Sequence, residues 1–142
     1  MNSFEVAVRW KEGLRGEATP QGVASPVPFS VPKEFGGPGG EWTPEHFFAS
    51  AVGTCVMATF LSIAQMSKLA IAGYESSVSC TMEKGPEGLR ITSVSLSPRI
   101  TVTTEKDVER AQRMIEKAEK MCPISNSVKP TVTLHATVVA QG

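Results

Sequence analysis

The chain has 142 residues, with 14 basic and 14 acidic side chains and a formal net charge of zero. This length predicts a single domain over residues 1–142, and the balanced charge gives no support to a nucleic-acid-binding surface. The N-terminal residues lack the basic patch and apolar core of a signal peptide. Three cysteines, an odd number, argue against a secreted disulfide framework. We therefore expect a cytoplasmic protein.

The N-terminal part of the chain has the pattern of strands and loops. Every second residue is apolar at Phe4, Val6, Val8 and Trp10. This alternation predicts a half-buried strand. A turn over residues 11–16 and short, irregularly connected strands over residues 17–32 follow. The glycine-rich residues 32–42 lack the lysine-serine or lysine-threonine ending of a phosphate-binding loop. We interpret them as a tight turn in which backbone approaches backbone.

The most apolar segment of the chain begins after this loop. Thr43, Pro44 and Glu45 are typical of a helix start, as N-cap, first helical residue and first-turn acid. The helix is predicted to run to about Lys68. It carries no charge over residues 47–67, which is long enough to span a bilayer, but small and polar residues dilute it and no second span follows. We therefore expect a helix buried in the core or in a subunit interface, with no membrane partner.

A hairpin of two strands is predicted next. Residues 74–83 alternate as a strand, and residues 84–88 form a hairpin turn. In the returning strand the apolar phase changes, which predicts a β-bulge near Thr92 and Ser93.

A second helix and a last strand complete the predicted elements. Residues 103–107 are predicted to cap a helix whose core face comprises Val108, Ala111, Met114, Ile115, Ala118 and Met121. In the last predicted strand, four side chains are expected to face the core, those of Val132, Leu134, Ala136 and Val138. His135 lies on its opposite face. Strands grouped around helices, with hairpin links, predict an α+β fold.

The three cysteines and two histidines are the candidates for chemistry. Cys80 shares the inward face of its strand, and we interpret it as a small apolar filler. His46 and His135 have no zinc-ligand spacing, so no metal or cofactor is expected. Cys122 precedes Pro123, where a new helical turn could favour a thiolate, but a plain helix-end residue fits equally well.

Cys55 lies in the middle of the apolar helix, beyond the reach of the helix dipole. An ordinary thiol is only a few per cent ionised at neutral pH, so fast chemistry would need a nearby cation. Lowering the pKa by about three units requires ~4 kcal/mol. One guanidinium at ~4 Å in an effective dielectric of ~20 supplies about that much.

Three motifs resemble the OsmC/Ohr family of thiol peroxidases, which comprises osmotically inducible and organic hydroperoxide resistance proteins. The first is the helix start that leads to the first cysteine, Pro44-Glu45-His46-Phe47-Phe48-Ala49-Ser50-Ala51-Val52-Gly53-Thr54-Cys55. The second follows 67 residues after Cys55, at Cys122-Pro123-Ile124-Ser125-Asn126-Ser127. The third is the preceding loop, Pro32-Lys33-Glu34-Phe35-Gly36-Gly37-Pro38-Gly39-Gly40.

The resemblance implies antiparallel sheets packed around a long buried central helix, in an intertwined homodimer. It implies that Cys55 is the peroxidatic thiol and Cys122 the resolving thiol. It also implies an activating arginine near the N-terminus, for which we choose Arg15 with Arg9 as the alternative, and a glutamate, Glu45. The implied substrate is an organic hydroperoxide, and the implied reductant is a dithiol or lipoyl group.

Helix geometry adds a constraint to this resemblance. Ten helical residues span about 15 Å, so Glu45 and Cys55 of one continuous helix cannot meet in one small site. We expect composite active sites, with Arg15 and Glu45 from one chain and both cysteines from its partner. Two alternatives stay open, which are a non-catalytic dimeric module that binds an apolar ligand and a slow redox-stress sensor. The preferred peroxide and the family branch also stay open.

Overall fold

The computed structural model describes residues 1–142 and divides into two compact units, Met1–Phe48 and Ala49–Gly142. The single domain expected from the chain length stays a prediction. Its elements confirm the predicted α+β class, because strands and helices are segregated along the chain. The strands are β1 (Val6–Glu12), β2 (Arg15–Pro20), β3 (Val27–Ser30), β4 (Ile71–Gly85), β5 (Gly88–Val102), β6 (Thr131–Leu134) and β7 (Thr137–Ala140). The helices are α1 (Pro44–Met66) and α2 (Val108–Met121).

The N-terminal unit contains an antiparallel sheet in the order β1-β2-β3. The two-residue loop between β1 and β2 places Gly13 at a φ of 50°, a left-handed conformation that glycine adopts readily. The predicted half-burial of β1 is wrong, since Val6, Val8 and Trp10 are 56%, 66% and 76% exposed. Strict alternation predicts two strand faces, but burial needs a second layer over one of them, and in the single chain this face stays exposed.

The glycine-rich loop confirms the close approach of backbone to backbone. A Cβ atom on Gly37 would overlap the carbonyl group of Val31. The Gly37 N–H instead donates a hydrogen bond to the carbonyl of Pro32 at 3.0 Å. Only glycine allows the chain to fold back at this position.

The predicted start of α1 is confirmed. The His46 N–H donates a hydrogen bond to Thr43 Oγ1 at 3.3 Å, and the Thr43 N–H donates to His46 Nδ1 at 2.9 Å. This reciprocal arrangement matches a capping box, with histidine in the position that glutamate or glutamine usually takes. The helix ends two residues before the predicted position, and Lys68 then turns the chain at a φ of 56°.

One stripe of α1 is buried, so the helix is not enclosed on all sides by its own chain. The buried residues recur at helical spacing, at Ala49, Val52, Val56, Phe60 and Ala64. Leu61 and Met66 are 38% and 85% exposed. By length and composition α1 is the one helix of the chain that could cross a bilayer, a property it shares with the core helices of soluble proteins.

The C-terminal unit contains a mixed sheet built on the β4–β5 hairpin. Thr81 pairs with Ser93 and Met82 pairs with Ile91, so Thr92 is left out of the ladder and forms the predicted bulge. The predicted last strand is interrupted at His135 and Ala136, which gives the two short strands β6 and β7. Both pair with β5 in parallel, so this sheet is mixed where antiparallel pairing was expected.

The core of the C-terminal unit lies between β5 and the two helices. Its fully buried side chains include Val94, Leu96, Ile100 and Val102 from β5, Phe60 from α1, and Ala111, Ile115 and Ala118 from α2. Three of the six residues predicted on the core face of α2 are therefore confirmed as buried, Val108 and Met114 are half-buried, and Met121 is 53% exposed. Met121 is the last residue of α2, where helical spacing alone does not decide whether a side chain is covered.

Candidate active site

Cys55 lies on α1 beside the buried stripe and is half-buried. Gly53, two residues earlier, faces β4 so closely that an added Cβ would lie 2.5 Å from Val78 Cγ2. The absence of a side chain at Gly53 thus sets how near the Cys55 segment of α1 packs against the sheet.

Cys122 is fully buried at the C-terminal end of α2, and the chain around it is tightly held. The Asn126 N–H donates a hydrogen bond to the Cys122 carbonyl at 3.1 Å. The Ser125 N–H donates to Cys122 Sγ at 3.4 Å, and Asn126 Nδ2 donates to the carbonyl of Lys120 at 3.0 Å. A short helical turn was predicted to begin at Pro123, and it begins two residues later, over Ser125–Ser127, with its hydrogen bonds directed back to Cys122 and Lys120.

The structure brings Cys55 and Cys122 together. Both are thiols without a disulfide, and the Cys55 thiol is hydrogen-bonded to the sulfur of Cys122. Proximity of the two sulfur atoms is the first requirement for a disulfide. The arrangement is therefore compatible with a redox-active pair.

The pKa values of the two thiols are shifted in opposite directions. Burial raises the pKa of Cys55 and the neighbouring Cys122 raises it further, while a hydrogen bond from the Ile124 backbone offsets part of this increase. Burial also opposes ionisation of Cys122, but hydrogen bonds from the Cys55 thiol, from Ser125 and from the Ile124 backbone lower the pKa of Cys122 overall. Hydrogen bonds to a sulfur favour its thiolate form, so these contacts favour ionisation of Cys122 over ionisation of Cys55. The two groups titrate as a coupled pair.

Thr59 contacts Cys55 from one turn further along α1. Its side chain forms a hydrogen bond with Cys55 that lowers the pKa of the thiol and partly offsets the effect of burial. The spacing of four residues places both side chains on the same face of the helix. Thr59 was not predicted as a site residue, although its spacing of four residues from Cys55 was a usable signal.

Arg15, the predicted activating arginine, begins β2 and forms two ion pairs in the N-terminal unit. Its Nε lies 3.3 Å from Glu41 Oε1, and its Nη1 lies 3.7 Å from Glu12 Oε1. Glu41 was not predicted, and no local sequence signal marks it. Glu45 lies half-buried in the first turn of α1. The alternative arginine, Arg9, lies on β1, opposite Glu17 in the ladder.

Comparisons with known proteins identify relatives of this chain. A sequence model of the family described as OsmC-like protein matches residues 37–136. The organic hydroperoxide resistance protein of Xanthomonas axonopodis pv. citri (strain 306) is 30% identical over 129 residues, which cover 89% of this chain and 87% of that protein.

Solved structures share the fold over nearly the whole chain. An OsmC-like protein of unknown function from Vibrio cholerae has a TM-score of 0.86 at 22% identity, covering 96% of this chain and 99% of that one. An organic hydroperoxide resistance protein from Legionella pneumophila has a TM-score of 0.75 at 22% identity, covering 98% of each chain. At this identity the two structures show a common fold alone.

Proposed function

This chain belongs to the OsmC-like protein family, and from that premise we propose that it is a cytoplasmic thiol-dependent peroxidase that reduces organic hydroperoxides. The family supports a peroxidase-like role in general. The observation that carries the specific proposal is the hydrogen bond between Cys55 and Cys122, whose positions are 67 residues apart in the sequence. A sulfur pair of this kind, with Cys122 buried and Cys55 half-buried, is suited to a redox cycle between two thiols and a disulfide.

The proposed reaction has three steps. The Cys55 thiolate attacks the outer oxygen of the peroxide O–O bond, the alcohol departs with a proton, and Cys55 becomes a sulfenic acid. The Cys122 sulfur attacks the sulfenic sulfur, releases water and forms the disulfide. An external dithiol, such as a lipoyl group, then reduces the disulfide by exchange and becomes oxidised itself.

Activation of Cys55 requires a cation beyond the immediate neighbours of the thiol. Its surroundings raise its pKa through burial and through Cys122, with no cation among the causes. We propose that Arg15, with Arg9 as the alternative, supplies this charge to a cysteine of the partner subunit and that Glu45 helps to hold it. The continuous helix α1 supports a site shared between subunits. It separates Glu45 from Cys55 of the same chain by about 15 Å, so Glu45 can reach only the cysteine of the partner.

The homodimer that this composite site needs is supported by two exposed apolar surfaces. On β1, Val6, Val8 and Trp10 project from one face and are more than half exposed. On α1, Leu61 and Met66 are exposed on a helix that carries no charge after its first turn. Apolar surfaces of this kind mark protein–protein contacts in soluble proteins.

Thiol titration tests the proposal directly. The reduced protein is treated with one equivalent of cumene hydroperoxide, and remaining thiols are counted under denaturing conditions. We expect the loss of two thiols per chain, at Cys55 and Cys122, and the same loss in a Cys80→Ala control. No thiol loss would reject the peroxidase and support the module that binds an apolar ligand.

Substitutions separate the proposed roles. Cys55→Ser should abolish peroxide consumption, whereas Cys122→Ser should permit one turnover and leave Cys55 as sulfenic acid or a higher oxide. Arg15→Ala should raise the Cys55 pKa further and slow its oxidation, with Arg9→Ala as the matched comparison. If only Arg9→Ala has this effect, the activating arginine is Arg9.

A slow redox-stress sensor is the second candidate, and one observation favours it. The raised pKa of Cys55 leaves little thiolate at neutral pH in the single chain. Steady-state peroxide consumption with dihydrolipoamide distinguishes the two functions. Sustained turnover identifies a peroxidase, and a single oxidation event followed by very slow recovery identifies a sensor.

A further inference from the structure

The two sulfur atoms of the pair differ in their access to solvent. Cys122 is fully buried, at 0% exposure, whereas Cys55 is half-buried. Thiol–disulfide exchange requires the attacking sulfur to approach in line with the bond that breaks, so access decides which sulfur is attacked. A reductant that reaches this pair meets Cys55 first.

The two sulfur atoms also differ in how well the chain stabilises a departing thiolate. The Ser125 N–H donates a hydrogen bond to Cys122 Sγ at 3.4 Å, and the Ser125 side chain also favours the thiolate of Cys122, whereas the Ile124 backbone acts on both sulfur atoms. Hydrogen bonds hold the turn that carries these donors. Ser127 Oγ donates to the Pro123 carbonyl at 2.6 Å, and Asn126 donates through its backbone N–H to the Cys122 carbonyl and through its side chain to the Lys120 carbonyl. Donors held in place before a reaction lose little freedom when charge develops.

We propose that reduction of the Cys55–Cys122 disulfide is directional: an external dithiol attacks Sγ of Cys55, and Cys122 departs as the thiolate. This inference rests on the proposed function. The attacking thiolate forms a bond to Cys55, the Cys55–Cys122 bond breaks, and its electron pair stays on Cys122. The second thiol of the reductant, once deprotonated, attacks the reductant sulfur of the mixed disulfide. The reductant leaves as a cyclic disulfide, and Cys55 is released as a thiolate.

Access and leaving-group stability favour the same outcome. Exchange is faster when the departing thiol has the lower pKa, and hydrogen bonds lower that of Cys122. Attack on Cys122 would instead need an approach into the core and would expel Cys55, whose pKa burial raises. Ser125 acts in this step as a positioning residue through its backbone N–H.

Mapping the first mixed disulfide tests this direction in the full-length wild-type protein. The protein is oxidised in two parallel arms, by cumene hydroperoxide and by diamide, then treated briefly with 2-mercaptoethanol, quenched in acid and alkylated with N-ethylmaleimide. Trypsin separates the three cysteines, since lysine or arginine residues divide Cys55, Cys80 and Cys122 into different peptides. Mass spectrometry then reads each cysteine separately.

We expect 2-mercaptoethanol on Cys55 and N-ethylmaleimide on Cys122, in an excess of about tenfold over the reverse pattern. Predominant 2-mercaptoethanol on Cys122, or an equal distribution, overturns the proposal. If the disulfide forms with diamide but not with hydroperoxide, the proposed peroxidase activity is rejected. The diamide-oxidised protein still shows which cysteine the reductant attacks. Failure to form a disulfide in both arms overturns the two proposals together.

A matched pair of variants gives a second reading. In a Cys80→Ala background, Cys55→Ser and Cys122→Ser each leave one thiol, which Ellman's reagent converts into a mixed disulfide under mildly denaturing conditions before refolding. Dithiothreitol should cleave the mixed disulfide on Cys55 about tenfold faster than that on Cys122 in the folded protein. Equal rates in the folded state contradict the proposed difference in access, and equal rates after unfolding serve as the control.

Discussion

The Cys55 thiol donates a hydrogen bond to the sulfur of Cys122, and this contact shifts the two pKa values in opposite directions. The contact favours the proton on Cys55 and negative charge on Cys122, where the Ser125 N–H already points at the sulfur. The single chain therefore prepares Cys122 to carry negative charge, whereas activation of Cys55 needs a further cation. This division gives the two cysteines different roles in a redox cycle.

Removal of Cys122 should lower the pKa of Cys55. In the wild type, burial raises that pKa most, and Cys122 raises it further by its hydrogen bond and by its charge. In a Cys80→Ala background, Cys122→Ala should shift the pH profile of Cys55 alkylation by monobromobimane to lower pH. An unchanged or higher midpoint would contradict the coupling between the two thiols.

Tyr74 should titrate well above an ordinary tyrosine. Burial raises its pKa to about 12, and its ring lies 5.5 Å from that of the fully buried Phe60. Tyr74 is the only tyrosine in the chain, so ultraviolet absorbance of tyrosinate reports on it alone. We expect a midpoint near 12 in the folded protein and about 10 in denaturant. Equal midpoints in the two states would show that the ring is not desolvated.

The same shift predicts a loss of stability at alkaline pH. Below about pH 10, the unfolded and folded states both keep the proton of Tyr74. As the pH rises from there toward 12, the unfolded state releases the proton first, so the free energy of unfolding falls. Tyr74→Phe should remove this contribution, and denaturant unfolding of both proteins across this pH range measures it.

Gly53→Ala should destabilise the fold although alanine is the better helix former. The added methyl group would lie 2.5 Å from Val78 Cγ2, at the end of a short, stiff side chain. Overpacking of this kind costs about 1–3 kcal/mol, more than the ~1 kcal/mol gained in helix propensity. Denaturant unfolding should show this loss, and the same substitution in a Val78→Ala background should cost less. Equal costs in the two backgrounds would place Gly53 elsewhere than against β4.

Thr43→Ala should cost about 1 kcal/mol of unfolding free energy, because it removes the oxygen that accepts the His46 N–H at the start of α1. Thr43→Ser keeps that oxygen and is the matched control. Both variants are compared with the wild type by chemical denaturation. If serine destabilises as much as alanine, the methyl group of the mostly buried threonine matters more than the cap.

Local rules were sufficient for many features of this chain. The Thr43 cap and the bulge at Thr92 were predictable, because each depends on residues that are neighbours in the chain or lie across a single hairpin. The stripe of buried residues on α2 followed from helical spacing, with Met121 as the exception at the helix end. These features result from short-range sterics and hydrogen bonding, which the identity and order of residues express directly.

Other features were decided by tertiary structure alone. Side-chain alternation is the same in parallel and antiparallel strands, so the parallel pairing of β6 and β7 with β5 left no mark in the sequence. Alternation also does not show whether another layer covers a strand. In the single chain no layer covers β1, which stays exposed. The meeting of Cys55 with Cys122, the ion pair of Arg15 with Glu41 and the Ser125 N–H at the buried sulfur all join groups through space. The sequence by itself determined the local elements and the types of reactive group. Only the folded chain decided which groups meet, because contacts between distant residues depend on the packing of whole elements.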